Sequence, residues 1–167
     1  LLYSHKDKRV SAICMDSPFA DFRRLAKEMC LNVIRIPNFL LETAINIVSR
    51  TVKKKNNFDI DTLKPIEAAK VTETPAIFVH AKSDELIPIQ HTIDIGEEYI
   101  GERSIKTCEG GHNSARPRVV LDEIGRFFAK HLVPGYIDER ETNIFEDVEQ
   151  DSNDNNKEKN DKGFEAL

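Results

Sequence analysis

Asp84 and His112 are the residues of this 167-residue chain whose types and placement fit proton transfer. The apolar run Ala76-Ile77-Phe78-Val79-His80 reads as a strand, and Lys82-Ser83-Asp84-Glu85 follows it. Ser104 to Cys108 reads as a second, shorter strand, followed by Glu109-Gly110-Gly111-His112-Asn113. In open α/β sheets the reactive positions lie just past the carboxyl ends of the strands. An acid on one such end and a histidine on the next form the acid–base half of a catalytic triad. The carboxylate orients the imidazole and stabilises its charged form while the imidazole moves the proton. Taken singly, Asp84 reads as a turn or cap residue and His112 as a solvated loop residue. Their placement on successive strand ends is what points to catalysis. On spacing alone Glu85 competes with Asp84 for the imidazole.

Other reactive residue types fall into place without chemistry. His80, Asp84, Glu85, His91 and His112 match no metal-ligand spacing, so no metal is expected, and His91 reads as a surface or rim residue of a helix begun by Pro88. Gly110-Gly111 precedes a histidine rather than a helix with a lysine, so there is no phosphate loop and no cofactor is expected. Cys14, Cys30 and Cys108 are odd in number, far apart and on apolar elements. They read as small core residues in a reducing compartment, with the cytoplasm the expected location. Ser17 reads as a helix N-cap, Ser4 as a helix-end residue and Ser83 as a turn residue. Ser114, two positions from His112 on a loop, is held at no strained turn.

The elements that must position Asp84 and His112 alternate in type. Val10 to Met15 is an apolar strand ending at Asp16-Ser17-Pro18, with a helix expected at once, Ser17 capping it and Pro18 in its first position. Phe22, Leu25, Ala26 and Met29 give that helix one apolar stripe. After Pro37-Asn38, Leu41, Ala44, Ile45, Val48 and Val52 give a second helix its own. Asn56 to Ala69 reads as a loop with a helical turn after Pro65. Pro88 begins a helix carrying Ile89, Ile93 and Tyr99, and Pro117 begins the last one, with Val120, Leu121, Ile124, Phe127, Phe128 and Leu132 on its apolar face. Strand, helices, strand, helix, strand, helix is an α/β pattern with right-handed crossovers.

Composition bounds the function. Hydrophobic residues make up 40 % and charged residues 32 %, and no apolar run reaches the roughly 18 to 20 residues of a membrane span. The net charge of −5 is uneven: residues 138–167 hold eleven Asp/Glu against four Lys/Arg, and the remainder eighteen against twenty. A nearly neutral body has no nucleic-acid footprint, and Lys53-Lys54-Lys55 reads as the solvated end of a helix. From Asp138 the chain offers almost nothing to bury, so residues 138–167 are expected to be a disordered acidic tail of unknown partner after a domain spanning 1–137.

The stretch His80-Ala81-Lys82-Ser83-Asp84-Glu85-Leu86-Ile87-Pro88, followed by Glu109-Gly110-Gly111-His112-Asn113-Ser114, closely resembles the closing portion of the α/β-hydrolases. The nearest subgroup is the serine-aminopeptidase-like, or prolyl-oligopeptidase-like, hydrolases. Met15-Asp16-Ser17-Pro18-Phe19 and Asn57-Phe58-Asp59-Ile60 are similar to it as well, and the resemblance covers about Leu1 to Leu132. It implies that Asp84 is the triad acid, in preference to Glu85, and His112 the triad base. It also places the helices within 18–69 where the family has its cap, and the chain as the C-terminal half of an α/β-hydrolase fold with about three parallel strands. The family's nucleophile sits in Gly-x-Ser-x-Gly, a strand-to-helix elbow that precedes the acid and histidine, and no Gly-x-Ser-x-Gly occurs here. Leu1-Leu2-Tyr3 resembles the end of the helix that follows the elbow, so the serine is expected upstream of Leu1, outside a fragment.

The expected function is therefore that of the C-terminal part of a serine hydrolase cleaving an ester, amide or peptide bond in a small-molecule or peptide substrate. It would carry the acid and the histidine but not the serine, and be inactive alone. The alternative is a non-catalytic α/β-hydrolase-like protein that keeps the fold for binding or scaffolding.

Overall fold

The computed structural model describes residues 1–34 and 37–138. Three short strands form one parallel sheet: β1 (Ile13–Asp16), β2 (Ala76–Ala81) and β3 (Arg103–Cys108), in the order β1-β2-β3. Ile13 stands opposite Ala76 and Asp16 opposite Val79, while Ala76 pairs with Arg103 and Ala81 with Cys108. All six residues of β2 are buried, as a central parallel strand covered on both faces requires. In β3 exposed and part-buried residues alternate until Cys108, the mark of an edge. The apolar β1 lies on the other edge and is only partly covered. Because the strands are parallel, the segments after Asp16, Ala81 and Cys108 all leave the sheet on the same side.

The helices are α1 (Phe22–Ile34), α2 (Asn38–Asn56), α3 (Pro65–Ala69), α4 (Gln90–Glu98) and α5 (Arg118–Leu132). Alternation along β2 assigns them to faces. Ala76 and Phe78 pack with Ala20, Ala69, Ile95 and Tyr99 on the side of α3 and α4. Val79 and Ala81 pack with Cys108, Val120 and Ile124 on the side of α5. The Phe78 and Tyr99 rings meet edge to face, centroids 5.5 Å apart, a favoured aromatic geometry. Leu25, Leu41 and Ile45 are buried from the stripes of α1 and α2, but Val48 stays 54 % exposed, as does Leu121 of α5 at 53 %. The apolar faces of these helices are thus broader than what covers them.

Two local expectations give way. Ser17 does not cap a helix and Pro18 does not begin one. Ser17 is buried with φ +47°, in the left-handed region, and α1 starts only at Phe22. Asp21 performs the capping, its Oδ1 accepting the Arg24 N–H at 3.0 Å, because a carboxylate oxygen satisfies a first-turn amide as well as a hydroxyl does. At the other end of the helical region Lys53-Lys54-Lys55 do occupy the last turn of α2, which Asn57 closes in the left-handed conformation with its N–H on the Lys53 carbonyl.

Contacts divide the chain into one unit from Leu1 to Leu132 and another from Val133 onward; the sequence places the end of the domain at residue 137. The expected tail, from Glu139 on, lies outside the described residues. No helix among the described residues is long and apolar enough to cross a membrane.

Candidate functional site

The turn after β2 builds the acid. The Asp84 N–H donates to Ala81 O at 3.2 Å, and Asp84 Oδ1 accepts the N–H groups of Leu86 (3.0 Å) and Ile87 (2.8 Å). The side chain thereby caps its own loop, and its orientation is set before any other partner is counted. The loop after β3 builds the base. Gly110 takes φ +115°, which only glycine adopts without strain, so the chain turns back over the sheet. The Gly111 N–H then donates to Ser114 Oγ at 2.9 Å, closing a tight turn around His112. The two loops are joined backbone to backbone, Lys82 N–H to Cys108 O at 2.8 Å and Ser83 N–H to Gly110 O at 3.1 Å.

Across this frame His112 Nδ1 lies 2.8 Å from Asp84 Oδ2. The Asp84 side chain is fully buried and the His112 side chain is 28 % exposed. Burial opposes the charge on Asp84, but hydrogen bonds from the Ile87 N–H, the His112 ring, the Ser17 hydroxyl and the Leu86 N–H outweigh it and hold its carboxyl below the usual value. An ionised Asp84 can only accept, so Nδ1 carries the proton and donates it to Asp84. The lone pair of the neutral ring is then on Nε2, which has no hydrogen-bond partner among the described residues. Such an imidazole can take a proton at Nε2 and pass it on. Glu85 lies elsewhere: its carboxylate rests on Gly111, where an added Cβ would meet Oε2 at 2.8 Å.

Two other histidines, His80 and His91, are structural. His80 is fully buried. Its Nε2 is 2.9 Å from Ile87 O, which can only accept, so Nε2–H donates there and Nδ1 accepts from the Thr92 hydroxyl at 2.6 Å. His80 thus braces the acid loop from beneath, with Nε2 3.6 Å from Asp84 Oδ2. His91, expected at the surface, is fully buried. Its Nδ1 accepts the Ala20 N–H at 3.1 Å and its Nε2 donates to Glu28 at 2.8 Å, so it joins α4 to α1. Helical periodicity could not reveal this, because the partners come from a segment about seventy residues away. No group of three or more His, Cys, Asp or Glu among the described residues could hold a metal ion. Cys14, Cys30 and Cys108 are all free thiols; of the three only Cys108 is buried, and burial, then the nearby Asp16, pushes the Cys14 thiol up.

Sequence reasoning missed Arg116. Its Nε and Nη2 donate to the two carboxylate oxygens of Asp16 at 2.9 and 2.8 Å, and the side chain is 10 % exposed. The available signal was an arginine four residues after His112 and an aspartate ending a strand. Only the sheet order reveals that these meet.

No protein-family model and no curated protein sequence matches the chain. Among solved structures it is similar in fold to acetyl xylan esterase 1 from Thermoanaerobacterium sp. JW/SL YS485, with a TM-score of 0.55 and 13 % sequence identity over 77 % of this chain. The match spans 40 % of that protein's length. At that identity the likeness is one of fold alone: a parallel three-stranded sheet flanked by helices.

Proposed function

We propose that this chain carries the acid and the base of a serine hydrolase of the α/β-hydrolase type, with Asp84 as the acid and His112 as the base. The observation that carries the reading is the buried carboxylate of Asp84 at 2.8 Å from Nδ1 of a part-exposed imidazole, on loops that leave neighbouring parallel strands on the same side. The fold likeness to an esterase agrees with it. In the reaction, His112 Nε2 takes the proton of a serine hydroxyl as the oxygen attacks the carbonyl of an ester, amide or peptide bond. It then returns that proton to the leaving group, while Asp84 steadies the imidazolium. Serine and oxyanion donors come from a segment outside this sequence, which has no Gly-x-Ser-x-Gly. The three free thiols agree with a reducing compartment such as the cytoplasm.

The test is made on the gene product that includes the serine-bearing segment. It is expected to react with a fluorophosphonate probe and to hydrolyse p-nitrophenyl esters, and His112→Ala is expected to remove both. The 167-residue chain alone is expected to stay at background. A long gene product that neither labels nor hydrolyses would overturn the catalytic reading and favour a binding or scaffolding role.

A further inference from the structure

We propose that Arg116 is a positioning residue for His112, a clamp that ties the end of β1 to the loop after β3 and so holds the imidazole against Asp84; the inference rests on the acid–base reading above. Two donors go to the Asp16 carboxylate at the end of β1. Nη1 reaches Ser114 O at 3.1 Å and Gly111 O at 3.3 Å, and Nη2 reaches Ser17 Oγ at 3.3 Å and His112 O at 3.4 Å. The five N–H donors of a guanidinium are all occupied. The planar fork spans from β1 across the end of β2 to the loop after β3, a reach that a lysine ammonium, one point charge, does not reproduce.

The loop needs such a clamp. The carbonyls of Gly111, His112 and Ser114 all turn toward Arg116, whereas the loop's other ties are the Ser114 turn and the bond from Ser83 to Gly110. The ring of His112 reaches Asp84 only if this backbone stays where it is, because a side-chain bond of 2.8 Å does not survive a shift of an ångström. Ser17 completes the link, since its hydroxyl faces Arg116 and Asp16 and also helps hold the Asp84 carboxyl down. The unusual φ of +47° at Ser17 fits this duty: strain of this kind persists where surrounding bonds over-determine the backbone. Asp16 neutralises the guanidinium, so the clamp adds no net charge beside the imidazole.

The experiment is proton NMR of the full 167-residue chain with 15N-labelled histidine. It reads the far-downfield Nδ1–H signal of His112, assigned by its loss in His112→Gln, together with amide exchange across Gly111 to Ser114 and the melting temperature. In Arg116→Met and in Arg116→Lys the Nδ1–H and loop amides are expected to exchange about tenfold faster or more, with the melting temperature of the fold little changed. Asp16→Asn is expected to give a smaller acceleration, and it decides the matter should Arg116→Met fail to fold. A signal and loop amides that exchange as before in whichever of these variants fold would overturn the clamp alone. A downfield signal absent from the unsubstituted chain, or one that persists in Asp84→Asn, would overturn the acid–base reading and the clamp with it.

Discussion

Asp84 uses its two oxygens for different tasks, and substitutions can separate them. Oδ1 holds the Leu86 and Ile87 amides, and Oδ2 faces the His112 ring. Asparagine can keep an acceptor at Oδ1 but presents an amide to Nδ1–H, so Asp84→Asn is expected to fold with a loss of about 1 kcal/mol while forcing the wrong histidine tautomer. In the serine-bearing protein this should lower kcat by about four orders of magnitude, the scale known for such a change in a triad. Asp84→Ala also strands two backbone donors and is expected to cost about 2 to 4 kcal/mol in urea unfolding. The same geometry sets a pH limit. A carboxyl held below the ordinary value of about 3.9 binds its proton more weakly in the folded than in the unfolded chain. Its stabilisation is therefore complete above about pH 4 and is lost as pH falls through the folded value. Acid unfolding followed by circular dichroism should begin at higher pH in Asp84→Ala only through its lower starting stability, with the pH dependence below pH 4 made shallower.

Helices α1 and α4 are joined by a buried polar contact rather than by an apolar seam alone. His91 links the Ala20 amide to Glu28, and Arg24 bonds both Glu28 and Asp94, so four side chains and a backbone donor share one network. Truncating its centre leaves Ala20 N–H without an acceptor in the core. His91→Ala is expected to cost about 2 to 4 kcal/mol, and Glu28→Gln, which keeps an acceptor for Nε2–H, about 1 kcal/mol or less. Urea titrations of the two variants check this, and equal losses would show that the network does not matter. These contacts also mark what one sequence can disclose. The alternation of strand and helix was legible, because Pro65, Pro75, Pro88 and Pro117 punctuate it and β2 is an unbroken apolar run. Asp84 and His112 were legible because each follows a strand directly, so chain order alone brings them to one end of the sheet. The partners of His91 and Arg116 were not, since they lie 63 and 100 residues away. They depend on which strands adjoin and which helix covers which face. Ser17 misled for a related reason: Ser-Pro before an apolar stripe is a sound start signal, but contacts at the strand end hold that serine in a left-handed turn instead.

Among the described residues the sheet has two edge strands, β1 and β3, and β1 is the more apolar of them. Among the described residues β1 pairs only with β2, and an unpaired, apolar edge is a template for another strand. Exposed Phe39, Ile47 and Val48 of α2 add apolar surface, at 69 %, 58 % and 54 %. The chain alone is therefore expected to self-associate as its concentration rises. The backbone shows how to separate this from loss of folding. Ile13 N–H donates inward to Pro75 O at 2.9 Å and Ser17 N–H to Val79 O at 2.9 Å. Strand alternation then turns the N–H of Cys14 outward, to the open side. Cys14→Pro removes no ladder bond and puts a ring where an incoming strand would need a donor. It is expected to raise the concentration at which association sets in by about tenfold, roughly 1.4 kcal/mol, with little change in urea midpoint. Ile13→Pro deletes a bond to β2 and is expected to destabilise the fold by about 1 to 3 kcal/mol. Sedimentation velocity and urea unfolding of the pair decide between the two effects. If Cys14→Pro associates as readily as the unsubstituted chain, the contact lies on the α2 surface or the β3 edge and not on β1. If it unfolds as readily as Ile13→Pro, the Cys14 amide was paired after all and the edge was never open.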